Sequence, residues 1–138
     1  MANRCAVELT LNSKGATFVS HIVTLQTQIK DADALAAACR RMGLATPVHE
    51  TVELFSGTTT GLAVRLPNWQ YPVVVDIAAG EMRYDNYEGA WGDPAALAAL
   101  MQSYAVEKAR IEARRKGYAV HETTLQDGSI KLQIFEGA

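Results

Sequence analysis

The segment Val-His-Glu-Thr occurs twice in this chain, at residues 48–51 and 120–123, and each copy follows a similar basic segment. Residues 40–43 read Arg-Arg-Met-Gly, and residues 114–117 read Arg-Arg-Lys-Gly. Basic residues followed by glycine are typical of a helix C-terminus, so each copy should open a strand directly after a helix. The repeat therefore limits the chain to folds in which helix, strand and further strand follow one another twice.

Two β-α-β-β units, at residues 20–66 and 73–135, are the architecture that this repeat predicts. The expected fold class is α+β, with a mainly antiparallel sheet and both helices on one face, related to ferredoxin-like folds. Duplication of an ancestral unit would explain the repeat. Common helix-capping chemistry combined with a four-residue coincidence is the alternative explanation, and the sequence leaves both open.

Capping residues mark the two expected helices. Asp31 is a favourable N-cap, and Gly43 supplies the end of the first helix. Asp93 caps the second helix, Pro94 suits its first position, and Gly117 ends it. Five apolar residues and the aliphatic part of one lysine recur at helical spacing and form one stripe on the second helix. They are Leu97, Leu100, Met101, Tyr104, Lys108 and Ile111.

Strands are expected where apolar residues alternate or cluster between turn signals. The candidate segments are residues 23–29, 48–55, 62–66, 73–77, 82–87, 118–124 and 130–135. Asp127 and Gly128 lie between the last two segments and are a strong hairpin signal. The predicted strands therefore alternate with only two helices, as the α+β class requires.

The first nineteen residues have two interpretations. Val7, Leu9 and Leu11 alternate with polar residues and could form an extra strand. Alternatively, residues 1–19 are an N-terminal extension from a misplaced start, with translation beginning at Val19. A single domain would then span residues 20–138, which is an ordinary domain length.

Composition narrows the expected partners and compartment. The chain has 13 basic and 15 acidic residues and a net charge of -2, so electrostatics give no reason to expect nucleic acid or an anionic membrane. A span of roughly 20 apolar residues, as a membrane helix needs, does not occur in the sequence. The sequence has two cysteines, Cys5 and Cys39, but no signal-peptide pattern. The reducing cytoplasm is therefore the expected compartment. A chain of this length needs neither a metal nor a disulfide to fold.

His49, Glu50, His121 and Glu122 are the candidate metal-binding or acid–base residues. The two His-Glu pairs hold matching places in the repeat and could converge across a pseudo-two-fold axis. However, neither pair has the ligand spacing of a metal site within one element. The simpler interpretation is that these are solvent-facing strand residues. The sequence otherwise shows no catalytic arrangement and predicts no cofactor.

Five aromatic residues cluster around the central predicted hairpin: Trp69, Tyr71, Tyr84, Tyr87 and Trp91. Aromatic side chains with polar tips are favoured at binding surfaces. They also fill the space between helices and a sheet. The five residues are therefore candidates for an interaction surface, with a role in the core as the alternative.

Several short motifs together resemble a known family. They are residues 28–31 (Gln-Ile-Lys-Asp), Asp76, Tyr84, Tyr87, Glu88, Trp91, residues 102–105 (Gln-Ser-Tyr-Ala) and residues 117–118 (Gly-Tyr). In these the chain resembles the domain of unknown function 1257 family, the hypothetical chloroplast open reading frame 35-like proteins. The resemblance begins at residue 20 and brings no established activity. It implies a small cytosolic or stromal accessory protein that works with a larger complex.

The expected function is that of a non-catalytic protein-interaction module or a subunit of a larger assembly. Its expected partner is another protein or a second copy of the chain. The alternative is a metal-binding protein or a small enzyme that uses the two His-Glu pairs.

Overall fold

The computed structural model describes residues 5–11, as a backbone strand, and residues 22–136. These ranges contain eight strands and two helices. The strands are β1 (Cys5–Leu11), β2 (Val23–Gln26), β3 (Val48–Leu54), β4 (Gly57–Val64), β5 (Val73–Asp76), β6 (Glu81–Tyr84), β7 (Ala119–Thr124) and β8 (Ile130–Phe135); the helices are α1 (Ala32–Arg41) and α2 (Pro94–Arg115). The possible start at Val19 lies outside the described residues.

Capping interactions define α1 at both ends. The Asp31 carboxylate accepts hydrogen bonds from the backbone N–H groups two and three residues later, at 3.0 and 3.2 Å. At the other end Gly43 has a φ of +72°, and the Leu44 N–H donates to the Cys39 carbonyl at 2.8 Å. Such a turn satisfies the free carbonyl groups of the last helical turn. The first predicted helix is confirmed.

The second predicted helix is also confirmed, with its capping residues. The Asp93 carboxylate accepts from the N–H of Ala95 at 2.9 Å, and Pro94 occupies the first helical turn. The 22 residues of α2 reach ~33 Å at the rise of an α-helix. This length lets α2 cross the whole fold.

α2 is buried on two sides, which a single apolar stripe does not describe. Leu97, Leu100 and Tyr104 belong to the main core. Val106 belongs to a second core, in which it packs with Ile130 and Leu132 of β8. The apolar residues of α2 therefore pack against two different cores, one on each of two sides of the helix.

The main sheet has five antiparallel strands in the order β2-β6-β5-β4-β3. Alternate residues of these strands face α1 and α2, and together they form the largest core. The fully buried members of this core with large side chains are Leu35, Val64, Val73, Val75, Met82, Tyr84, Leu97 and Leu100. The α+β class is confirmed, with both helices packed on one face of this antiparallel sheet.

The remaining strands form a separate sheet, β1-β8-β7, so the expectation of a single sheet is wrong. α2 packs against both sheets, because it contributes Leu97, Leu100 and Tyr104 to the main core and Val106 to the core beside β8. The β7–β8 hairpin then packs on the second side of α2, where Ile130 and Leu132 cover Val106. Residues 5–11, for which an extra strand is one of the two interpretations, form β1, which pairs with β8.

Both Val-His-Glu-Thr segments lie in comparable strands. Residues 48–51 begin β3, and residues 120–123 lie in β7; each strand opens the hairpin that follows a helix. Among the described strands β3 pairs only with β4, and β7 pairs only with β8, so both are edge strands. The duplication itself stays a prediction.

Lys108 connects α2 to the start of α1. Its Nζ lies 2.9 Å from a carboxylate oxygen of Asp31 and 3.0 Å from one of Glu112. The hydrogen bond from Lys108 lowers the pKa of the Asp31 carboxyl, although burial opposes this effect. The same contact, with that of Glu112, raises the pKa of Lys108.

We expect the substitution Asp31→Asn to separate capping from ion pairing. Asparagine also caps helices well, so the variant loses mainly the ion pair. Because the folded-state pKa of Asp31 is lowered, its ion pair stabilises the fold above its ordinary value of 3.8 and is lost as the pH falls through the folded value. Urea unfolding should show wild type more stable near neutral pH, with the two proteins converging in acid. A difference that is constant with pH would contradict this account.

Candidate interaction site

Trp91 is the centre of a group of four aromatic rings at one end of the main sheet. Its ring centroid lies 4.8 Å from that of Tyr87, 5.0 Å from that of Phe55 and 5.7 Å from that of Tyr71. The ring of Tyr87 is stacked on Trp91, and the other two are tilted against it. We call Phe55, Tyr71, Tyr87 and Trp91 the aromatic cluster.

Two rings of the aromatic cluster are largely open to solvent. Phe55 is 63% exposed and Tyr87 is 53% exposed, whereas Tyr71 and Trp91 are half-buried. Tyr71 also packs against a small core on the face of the sheet opposite the helices, with Leu54 and Val74 among its members. The cluster is thus an exposed apolar surface on a half-buried base.

The loop that carries Tyr87 and Trp91 is held by its own hydrogen bonds. The Asp85 carboxylate accepts from the Tyr87 N–H at 3.3 Å, and the Asn86 side chain donates to the Gly92 carbonyl at 3.2 Å. The Trp91 N–H donates to the Asn86 carbonyl at 2.9 Å. A 3-10 turn at Tyr87–Gly89 lies within this loop. These contacts orient the two rings before any partner binds.

Tyr87 has a φ of +48°, which is unusual for a residue with a side chain. This conformation costs on the order of 1 kcal/mol for a residue other than glycine. Strained residues persist only where the surroundings hold them, and they are concentrated at functional sites. The strain therefore marks this loop as a candidate functional segment.

Two buried acceptor atoms lie in the same loop. Asp85 is 1% exposed and Asn86 is fully buried. Within the described structure, Oδ2 of Asp85 and Oδ1 of Asn86 have no hydrogen-bond partner. Buried acceptors without partners are costly, so the loop gives up some stability for its conformation.

Trp69 and Tyr84 lie apart from the aromatic cluster. Tyr84 is completely buried in the main core, and burial raises the pKa of its hydroxyl to about 12. The Trp69 ring packs edge-on against Tyr84, with centroids 5.8 Å apart, and its Nε1 donates to the Asp93 carbonyl at 3.1 Å. Of the five aromatic candidates, Tyr71, Tyr87 and Trp91 thus share one surface, whereas Tyr84 lies in the core and Trp69 is half-buried against it.

Phe55 is the member of the cluster that sequence analysis missed. It lies in the turn between β3 and β4, two residues before Gly57. An apolar residue in a short hairpin turn cannot face the core of its own sheet. That position was the available signal for an exposed ring.

The structure places the two His-Glu pairs on different sheets. His49 and Glu50 are adjacent in β3, and His121 and Glu122 are adjacent in β7. Adjacent side chains in a strand point to opposite faces, so neither pair converges on one site. The glutamates instead form ion pairs, Glu50 with Arg65 at 2.8 Å and Glu122 with Arg41.

A metal centre is not among the described features. In the ranges that the structure describes, no three His, Cys, Asp or Glu side chains are grouped so that they could hold a metal ion. Asp76, on β5, accepts a hydrogen bond from the Ala79 N–H at 3.1 Å and lies 3.8 Å from Arg83. These contacts give Asp76 a structural role at the β5–β6 turn.

No protein-family model, curated protein or solved structure matched the chain. The resemblance to the domain of unknown function 1257 family stays a prediction. Neither described helix is long and apolar enough to cross a membrane.

Proposed function

We propose that this protein is a non-catalytic interaction module that docks on a partner protein through the aromatic cluster. The observation that carries the proposal is the exposure of Phe55 and Tyr87 on a base of two half-buried rings. Single exposed apolar side chains are normal, but contiguous apolar patches mark interaction sites. Tryptophan and tyrosine are the residues that most often dominate binding energy.

The local hydrogen bonds support this proposal energetically. A surface that is already ordered pays less conformational entropy when it binds. Here the loop around Tyr87 and Trp91 is ordered by Asp85 and Asn86. Burial of an aromatic side chain contributes roughly 1.5–3 kcal/mol, so the two exposed rings would supply part of the binding free energy and the contacts around them the rest.

We further propose a cytoplasmic location and a role as a subunit of a larger assembly. The near-neutral charge of the chain and its family resemblance support a protein partner rather than nucleic acid. Ancestral duplication of a β-α-β-β unit is proposed on the matching positions of residues 48–51 and 120–123.

Tyr87→Asn should reduce partner binding without reducing stability. The variant loses ring stacking worth about 0.5–1.5 kcal/mol. Asparagine adopts positive φ readily, which relieves backbone strain of similar size. We therefore expect a melting temperature close to that of wild type and at least a roughly tenfold loss of binding to the captured partner.

Leu125→Asn is the matched control, because Leu125 is also an exposed apolar residue but precedes β8 in the other sheet. Tagged wild type and both variants are used to capture proteins from an extract of the source cells, followed by quantitative mass spectrometry. Proteins retained by wild type and Leu125→Asn but lost with Tyr87→Asn support the proposal. Equal retention by all three, or no retained protein, contradicts it.

A further inference from the structure

β3 is an open edge of the main sheet. Its seven residues, Val48–Leu54, pair with β4, and none of the described strands pairs with the other side. The ladder with β4 has no bulge, and β3 contains neither lysine nor proline. Charged side chains, lysine above all, proline and bulges are the usual devices that stop an edge strand from pairing with another chain. Of these devices β3 has only the carboxylates of Glu50 and Glu53, and Glu50 already forms an ion pair with Arg65.

The geometry of the hairpin determines which backbone groups of β3 are available. Leu54 pairs with Gly57 across a two-residue turn. In such a hairpin the flanking residues exchange hydrogen bonds, and every second pair along the ladder does the same. The even-numbered residues of β3 therefore direct their N–H and C=O groups to β4. His49, Thr51 and Glu53 direct theirs outward.

We propose that β3 pairs in antiparallel orientation with β3 of a second copy of the chain, about a two-fold axis at Thr51. Thr51 then faces Thr51 of the second copy, and the outward groups of the odd-numbered residues face one another. His49 of each copy faces Glu53 of the other copy, so the interface contains two imidazole–carboxylate pairs. Val48, which is 57% exposed, faces Leu54 of the second copy.

Other registers and edges fit less well. A shift that centres the pairing on Glu50 opposes two like charges and brings in Pro47, which has no N–H to donate. Pairing of β7 with itself opposes His121 to His121 or Glu122 to Glu122. β2 offers only four residues. Among these three edge strands, β3 alone has seven residues and also pairs histidine with glutamate across the axis.

An exchange of two facing residues, His49 and Glu53, tests the proposed register. Sedimentation velocity over a concentration series should show a monomer–dimer equilibrium for the full-length wild type. In His49→Glu the new carboxylate of each copy faces the Glu53 carboxylate of the other copy. These two like-charged pairs should weaken the dimer about tenfold. The double variant His49→Glu/Glu53→His restores the two imidazole–carboxylate pairs and should recover dimerisation to within about threefold of wild type. His121→Glu, the same change on β7, should leave the dimer unchanged.

Cysteine cross-linking tests the same axis independently. Opposed residues of a hydrogen-bonded pair have Cα atoms about 5.5 Å apart, which a disulfide can span. Thr51→Cys should therefore form a covalent dimer on mild oxidation. Glu53→Cys should not, because its two copies would lie about 14 Å apart. Wild type, with Cys5 and Cys39, controls for other thiols.

The inference is overturned if wild type is monomeric at every concentration, if His49→Glu leaves the dimer unchanged, or if both cysteine variants cross-link equally. It is independent of partner docking through the aromatic cluster. Tyr87→Asn should dimerise like wild type, so loss of partner capture and loss of dimerisation are separate results.

Discussion

Gly61→Ala is expected to destabilise the protein by about 3 kcal/mol and to lower its melting temperature by roughly 10 °C. An added Cβ would lie 2.6 Å from the Val75 carbonyl oxygen and 2.9 Å from a methyl group of Val74. The carbonyl belongs to the neighbouring strand β5. It cannot withdraw unless the β4–β5 ladder shifts, so relaxation is costly.

Gly57→Ala is the matched control on the same strand. Its added Cβ would meet only the Ile22 Cδ1 at 3.6 Å, an ordinary contact. Thermal unfolding followed by circular dichroism should show this variant within a few degrees of wild type, roughly 0.5 kcal/mol in stability. If Gly61→Ala also melted at the temperature of wild type, the close approach of β4 and β5 at Gly61 would be refuted.

Gly92→Ala is expected to cost a similar amount, about 3 kcal/mol. The added Cβ would lie 2.3 to 2.7 Å from three atoms of the Trp69 indole. The indole is held by its packing on Tyr84 and by its hydrogen bond to the Asp93 carbonyl. Relief of the overlap must disturb one of these contacts or move the loop that carries Trp91. Tryptophan fluorescence should therefore change along with stability.

A double variant distinguishes this overlap from a general effect of the substitution. Trp69→Ala removes the side chain that the new methyl group would meet. In the Trp69→Ala background, Gly92→Ala should cost at least about 1 kcal/mol less than in wild type, because residues in contact are not additive. Equal costs in both backgrounds, measured by urea unfolding, would refute the overlap as the cause.

Both helices could be predicted from the sequence because their determinants are local. The Asp31 carboxylate caps residues within three positions, and Gly43 closes the helix through its own backbone. Asp93 and Pro94 act over the same range. Such signals do not depend on what the helix packs against.

The candidate site was only partly predictable. Trp91 and Tyr87 are close in sequence, but Phe55 reaches them only because the β3–β4 turn folds to the same end of the sheet. Tyr84 was grouped with them by sequence proximity. It lies in the core because its position in β6 faces the helices. Sequence distance could not distinguish these two outcomes.

The two His-Glu pairs illustrate the limit of a repeated motif. Their matching places in strands that follow helices are a local property of the sequence. Convergence on one site would have required the two strands to face each other. β3 and β7 instead belong to different sheets.

Local sequence patterns were enough to predict the α+β class, the ends of both helices and the presence of the hairpins. Capping groups, turn residues and alternating apolar positions act over a few residues, so they can be identified in one chain. The division into two sheets, the open edge at β3 and the assembly of the aromatic cluster follow from the packing of the folded chain. These features depend on which apolar surfaces cover one another, as when the β7–β8 hairpin covers Val106 on the second side of α2. Such long-range burial joins residues that local patterns do not relate.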